Sequence, residues 1–118
     1  MASEMKNDVL NFLNKKFKEE YEMKNDVIKI ASIDYQTGAI VSKIVLKKNT
    51  GSVTLFAFDK GQELSEHTTP CDALLHVFDG EAKVTIAGND YRVQAGEMNV
   101  LSANEAHAVD APQQLKMM

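Results

Sequence analysis

The chain has one cysteine, Cys71, so an intramolecular disulfide framework is excluded and a reducing compartment suits it. It lacks any apolar run approaching the ~20 residues that span a bilayer. Its start, MASEMKNDVLNFLNKKFKEE, has no apolar core of signal-peptide length. The expectation is a soluble cytoplasmic protein with no membrane partner. Nor is positive charge in excess. The formal net charge is -4, which counts against nucleic acid as a partner, because phosphate binding needs a concentrated basic surface. Lys15, Lys16 and Lys18 cluster, as do Lys47 and Lys48, but Glu19, Glu20 and Glu22 follow the first group at once and make it a solvated mixed-charge face. No Gly-rich phosphate loop, G-x-S-x-G elbow, paired-cysteine zinc motif or helix-turn-helix is present.

What remains is a chain of 118 residues, 44% of them hydrophobic, enough for one core and one domain. Up to Tyr21 the apolar residues Met5, Val9, Phe12, Leu13, Phe17 and Tyr21 recur at intervals of three and four. That period predicts an amphipathic helix over residues 1–22, capped by Ser3 or Asn7. From residue 23 the pattern turns to short β-branched runs, among them VIKIASI, AIVSKIVL, SVTLFAF, ALLHVF and AKVTIA. Turn chemistry at Thr37-Gly38, Lys60-Gly61, Asp79-Gly80, Gly88-Asn89 and Ala95-Gly96 separates them. Closely spaced short strands of this kind predict an all-β sandwich or barrel over residues 23–118. The pentapeptide MKNDV occurs at Met5 and Met23, and two copies carry no repeat architecture.

Alternation assigns faces. Between Ala82 and Val93 a hairpin turning at Gly88-Asn89 points Val84 and Ile86 inward and Lys83 to water. The run from Val53 to Phe58 is apolar on both faces, so a second layer should cover its outside. The N-terminal helix or a second subunit would supply that layer, and a homodimer is expected.

The stretch from Gly61 to His107 carries the chemistry. Gly61 precedes His67 by six positions, and Thr69, an apolar run and Asp79-Gly80 follow; further on, Gly96 leads to Ser102, Asn104 and His107. This order resembles the two motifs of the cupin family, G-x5-H-x-H-x3,4-E-x6-G and G-x5-P-x-G-x2-H-x3-N, over about the last two thirds of the chain. It is closest to the small single-domain cupins. The resemblance implies a cupin-type double-stranded β-helix, a jelly-roll barrel, here preceded by the amphipathic helix. It also implies that His67 and His107 match the family's first and last metal histidines. Thr69 stands where the second histidine would be and Ala73 where the glutamate would be. Ser102, Asn104 and Ala111 replace the proline, glycine and final asparagine.

Two imidazoles alone make a weak site for a divalent transition metal such as Zn, Fe, Mn or Ni, which takes three or four protein ligands. Cys71 as a thiolate, or Asp72 turned inward by a bulge at Pro70, would complete it. Counting from His67 by twos puts Thr69, Cys71, Ala73, Leu75 and Val77 on the inner face, and Asp72 and His76 outside. Asp72 reads better as a residue bonding nearby backbone amides, and His76 as a structural histidine. Met98 and Val100 are expected to line the cavity with Val84. The leading reading is a small-molecule binding barrel, its ligand held by His67, Thr69, Met98 and His107. A metal-dependent dioxygenase or isomerase is the alternative, and a dimerisation scaffold the third reading.

Overall fold

A computed structural model describes residues 17–21, as backbone, and 27–118. The described residues form ten strands: β1 Phe17–Tyr21, β2 Ile40–Lys48, β3 Gly51–Phe58, β4 Glu63–His67, β5 Ala73–Asp79, β6 Glu81–Ile86, β7 Asn89–Gln94, β8 Met98–Leu101, β9 His107–Asp110 and β10 Leu115–Met117. They form a six-stranded sheet in the order β1-β2-β3-β10-β5-β8 and a four-stranded sheet in the order β4-β9-β6-β7. The all-β expectation holds. Among the described residues the only helical turn is a 3-10 turn at Ile30–Ser32.

The amphipathic helix is not supported. Its first residues, Met5, Val9, Phe12 and Leu13, lie outside the described residues. Its last stretch is strand, with β1 running parallel to β2 from the pair Phe17 and Ile40 to the pair Tyr21 and Ile44. The physical reason is tertiary. The free edge of β2 offers a full ladder of backbone partners, which outweighs the few tenths of a kcal/mol per residue that helix propensity supplies.

The inner faces of the two sheets meet in one cluster that includes Phe58, Val77, Val84, Val109 and Leu115. Val84 is fully buried and Ile86 packs on this cluster, as the alternation predicts. The hairpin turn falls one residue earlier than expected. Ile86 pairs with Asn89, so Ala87 and Gly88 are the turn residues, with φ of 49° and 82°.

Strand β3 is covered on both sides. Phe56 and Phe58 face the inner cluster, while Leu55 and Ala57 join Ile33 and Val41 in a second cluster outside it. Neither a helix nor a second subunit is needed for that layer, because the chain's own segment from Ile28 to Tyr35 supplies it. The Tyr35 hydroxyl donates to the Asp79 carboxylate. Lys116 lies 4.8 Å from the Tyr35 ring centre and donates to the Ala31 carbonyl at 3.0 Å. Burial, and then the Asp79 carboxylate, push the Tyr35 hydroxyl well above its ordinary pKa.

Candidate functional site

His67 and His107 are brought together by one irregularity in the β4–β9 ladder. Leu64 pairs with Val109 and His67 with His107, so three steps along β4 match two along β9. The extra residue is a bulge that returns His67 to the same face as Leu64. His107 also pairs with Ile86 of β6, which packs on the interior, so the imidazoles belong to the inner face. Their ring centres are 4.4 Å apart at an interplanar angle of 65°. His107 is 4% exposed, whereas His67 is open to solvent.

Both rings are held in the same way. His67 Nδ1 lies 2.7 Å from the Ser65 carbonyl oxygen, and His107 Nδ1 lies 3.1 Å from that of Glu105. A carbonyl oxygen only accepts, so these contacts assign the proton of each neutral ring to Nδ1 and leave the lone pair on Nε2.

The other expected members are not donors in this site. Thr69 is in the loop after β4, where its hydroxyl donates to the Cys71 carbonyl at 2.9 Å. Its own carbonyl accepts the Asn104 N–H at 2.7 Å. Asp72 accepts the Ala103 N–H at 2.8 Å, the backbone-bonding role expected of it. Cys71 is exposed, against the inward parity expected for it, because the 68–72 loop leaves the strand register. Ala73 is half-buried against the interior and offers only a methyl group. Asn104 occupies the motif's glycine position with φ of 63°, a left-handed conformation that asparagine tolerates better than other side chains.

Met98 requires correction. It is 61% exposed and Val100 is 63% exposed, so neither lines the interior. The register decides this: Leu75, which is buried, pairs with Asn99, while His76 pairs with Met98 and Leu74 with Val100. Asn99 and Leu101 are therefore the inward residues of β8. The sequence MNVL has apolar groups on both faces, so period alone does not choose between them. His76 lies outward, as its parity predicts.

Two clefts among the described residues lie away from the histidines. One, about 270 Å³, runs between residues 32–36 and β2, and the other, about 530 Å³, is lined by Asp59, Lys60, Asp79, Gln113 and Gln114. In the latter, Asp59 is held below the usual carboxylate range by the Gly38 N–H and then by Gln114.

Residues 54–118 match the family model of the cupin domain. The chain belongs to the cupin family. Its fold is similar to that of a conserved protein of unknown function from Streptococcus pyogenes, at 28% identity and a TM-score of 0.75, over 80% of this chain and 83% of that one. A cupin 2 conserved barrel protein from Leptotrichia buccalis is 41% identical, with a TM-score of 0.72, over 74% of this chain. This cupin spans 42% of the Leptotrichia chain. A cupin superfamily protein from Desulfitobacterium hafniense shares the fold at 20% identity and a TM-score of 0.74, over 80% of this chain and 87% of that one. No curated protein matches the sequence.

The donor set does not fit the metal that the motif resemblance implies. Two imidazoles are in place, the Thr69 hydroxyl and Asp72 carboxylate are engaged with backbone, and Ala73 supplies no donor. No group of three His, Cys, Asp or Glu able to hold an ion occurs among the described residues. That falls short of the three or four protein ligands a transition metal takes. Among the described residues no helix is long and apolar enough to cross a membrane.

Proposed function

We propose that this cupin is a metal-independent binding barrel, with a small polar molecule seated against His67 and His107 at the mouth between the sheets. The observation that carries this reading is the paired imidazoles. Each is fixed through Nδ1 to a backbone carbonyl, and neither Nε2 has a hydrogen-bond partner among the described residues. Fixed rings with spare lone pairs beside an apolar wall are the ingredients of a ligand site. A metal-dependent dioxygenase or isomerase would need the missing ligands, so no reaction step is assigned.

The test is a thermal-shift screen of small polar compounds against the full chain and its His67→Ala variant. A ligand at a hundred times its Kd adds ~2.7 kcal/mol by mass action, a shift of several degrees for a chain of this size. A screen in which no compound raises the melting temperature of the parent more than that of the variant would sink the reading.

A second reading, self-association, is favoured by the outer face of β5 and β8. Leu74, Met98 and Val100 are each more than half exposed there, and β8 ends its sheet. The proposed partner is a second copy meeting at this face rather than at β3. Sedimentation of the parent and of Met98→Lys tests it: a parent that is monomeric at high micromolar concentration contradicts the dimer.

A further inference from the structure

Strand register links the two histidines to the far edge of their own sheet. His67 pairs with His107, His107 with Ile86, and Ile86 with Asn89, so these residues form one row across β4, β9, β6 and β7. Behind it, Leu64, Val109, Val84 and Tyr91 form the next row in the same way. Neither row holds a charged side chain. Directly paired residues share one face of a sheet, so Asn89 and Tyr91 belong to the inner face with the histidines and Val84.

This part of the inner face reaches solvent. Val84 is 0% exposed, whereas its register partner Tyr91 is 47% exposed. Asn89 is exposed as well, and its side-chain amide bonds to no other described residue. Further along β7, Val93 is 4% exposed. The sheets thus close over Val93 and stand open at Asn89, and the open end is the one that carries the histidines.

The first row is polar at both ends and apolar between them. At one end the neutral imidazoles present Nε2 as an acceptor, and at the other the Asn89 amide both donates and accepts. Ile86, half-buried on the inner cluster, lies between, and Tyr91 sits on the diagonal from it, a separation that aromatic side chains bridge. His107 and Asn89 are two strand spacings apart, roughly 10 Å. Taking off a hydrogen bond of about 2.9 Å at each end leaves at least roughly 4 Å between the polar atoms of a molecule that meets both. Neighbouring hydroxyls on a ring are too close together for that, whereas groups at its opposite ends span it.

Resting on the binding-barrel reading, we propose that Asn89 is the second pole of the ligand site and that the ligand is a compact ring-shaped molecule with a polar group at each end. An O–H or N–H at one end donates to the histidine pair, the group at the other end bonds to the Asn89 amide, and the apolar ring rests against Ile86 and Tyr91.

The experiment is a titration of the isotopically labelled full chain at about pH 8, above the range in which an ordinary imidazole takes up a proton. The probes are trans-1,4-cyclohexanediol and 1,4-benzenedimethanol, with their 1,2 isomers as controls of identical composition. The ring resonances of His67 and His107 and the side-chain amide of Asn89 are followed. At least one 1,4 isomer is expected to move the histidines and Asn89 together, with saturation, and to bind about fivefold or more tightly than its 1,2 isomer, the value of one net hydrogen bond. Asn89→Ala, which removes an exposed amide without a protein partner, should fold as the parent does and erase that preference. Tyr91→Phe should keep the affinity that Tyr91→Ala loses. Isomers of equal affinity, or a 1,4 preference that persists in Asn89→Ala, overturn the second pole and leave the binding barrel standing. Parental affinity in Tyr91→Ala overturns the place given to that ring. No response to any of the four compounds overturns the proposal, and the wider screen then decides the barrel reading by itself.

Discussion

His67 and His107 face each other across the β4–β9 ladder as direct register partners, with ring centres 4.4 Å apart. What surrounds them governs their chemistry. The position that matches the motif's glutamate is Ala73, half-buried on the facing sheet and paired with Leu101. A pair of fixed imidazoles without a carboxylate is a hydrogen-bonding surface before it is a metal centre.

Restoring that carboxylate tests the point. Ala73→Glu should lower stability by about 1–3 kcal/mol without metal, the cost of setting an unpaired polar group against the interior. It should then gain a zinc-dependent rise in melting temperature that the parent lacks. A parent stabilised by zinc as strongly as the variant would show that the two histidines suffice.

The outer face of the β4–β9 ladder holds a second relationship. Glu63 pairs with Asp110, and its carboxyl is raised above the ordinary value of 4.5, first by the hydrogen bond to Asp110 and then by that group's charge. A raised folded-state value means that this group's contribution to stability is fully present below 4.5 and is lost as pH rises through the folded value. Glu63→Gln removes the repulsion, so it should raise the melting temperature at pH 7 and leave it unchanged near pH 3. Thermal unfolding of parent and variant at both pH values checks this. A gain of equal size at both would mean that packing, not charge, is responsible.

Two turns should respond in opposite directions. Ala87 sits at φ of 49° in the β6–β7 turn, where a glycine is unstrained, so Ala87→Gly should stabilise by about 0.5–1 kcal/mol. Gly80 has φ of 76°, and a Cβ there would lie 1.9 Å from the Gln114 carbonyl oxygen. Gly80→Ala must move backbone as well as adopt a strained φ, and should cost more than about 2 kcal/mol. Denaturant unfolding of both variants reads the contrast, and a Gly80→Ala variant within 1 kcal/mol of the parent would contradict it.

The sequence by itself determined the all-β class, the inward Val84 and Ile86, the turn at Asp79-Gly80 and the two histidines of the motif, because each depends on local period or on residue type at fixed spacing. It also exposed the shortfall at Thr69 and Ala73. Only the tertiary structure decided which face of MNVL turns inward, since β8 is apolar on both sides and its pairing with β5 selects Asn99 over Met98. The same holds for the layer over Leu55 and Ala57, which comes from residues 28–35 rather than from a helix, and for Phe17–Tyr21, whose helical spacing yields to the open edge of β2. In each case a partner distant in sequence supplies the deciding contacts, and a local pattern carries no record of that partner.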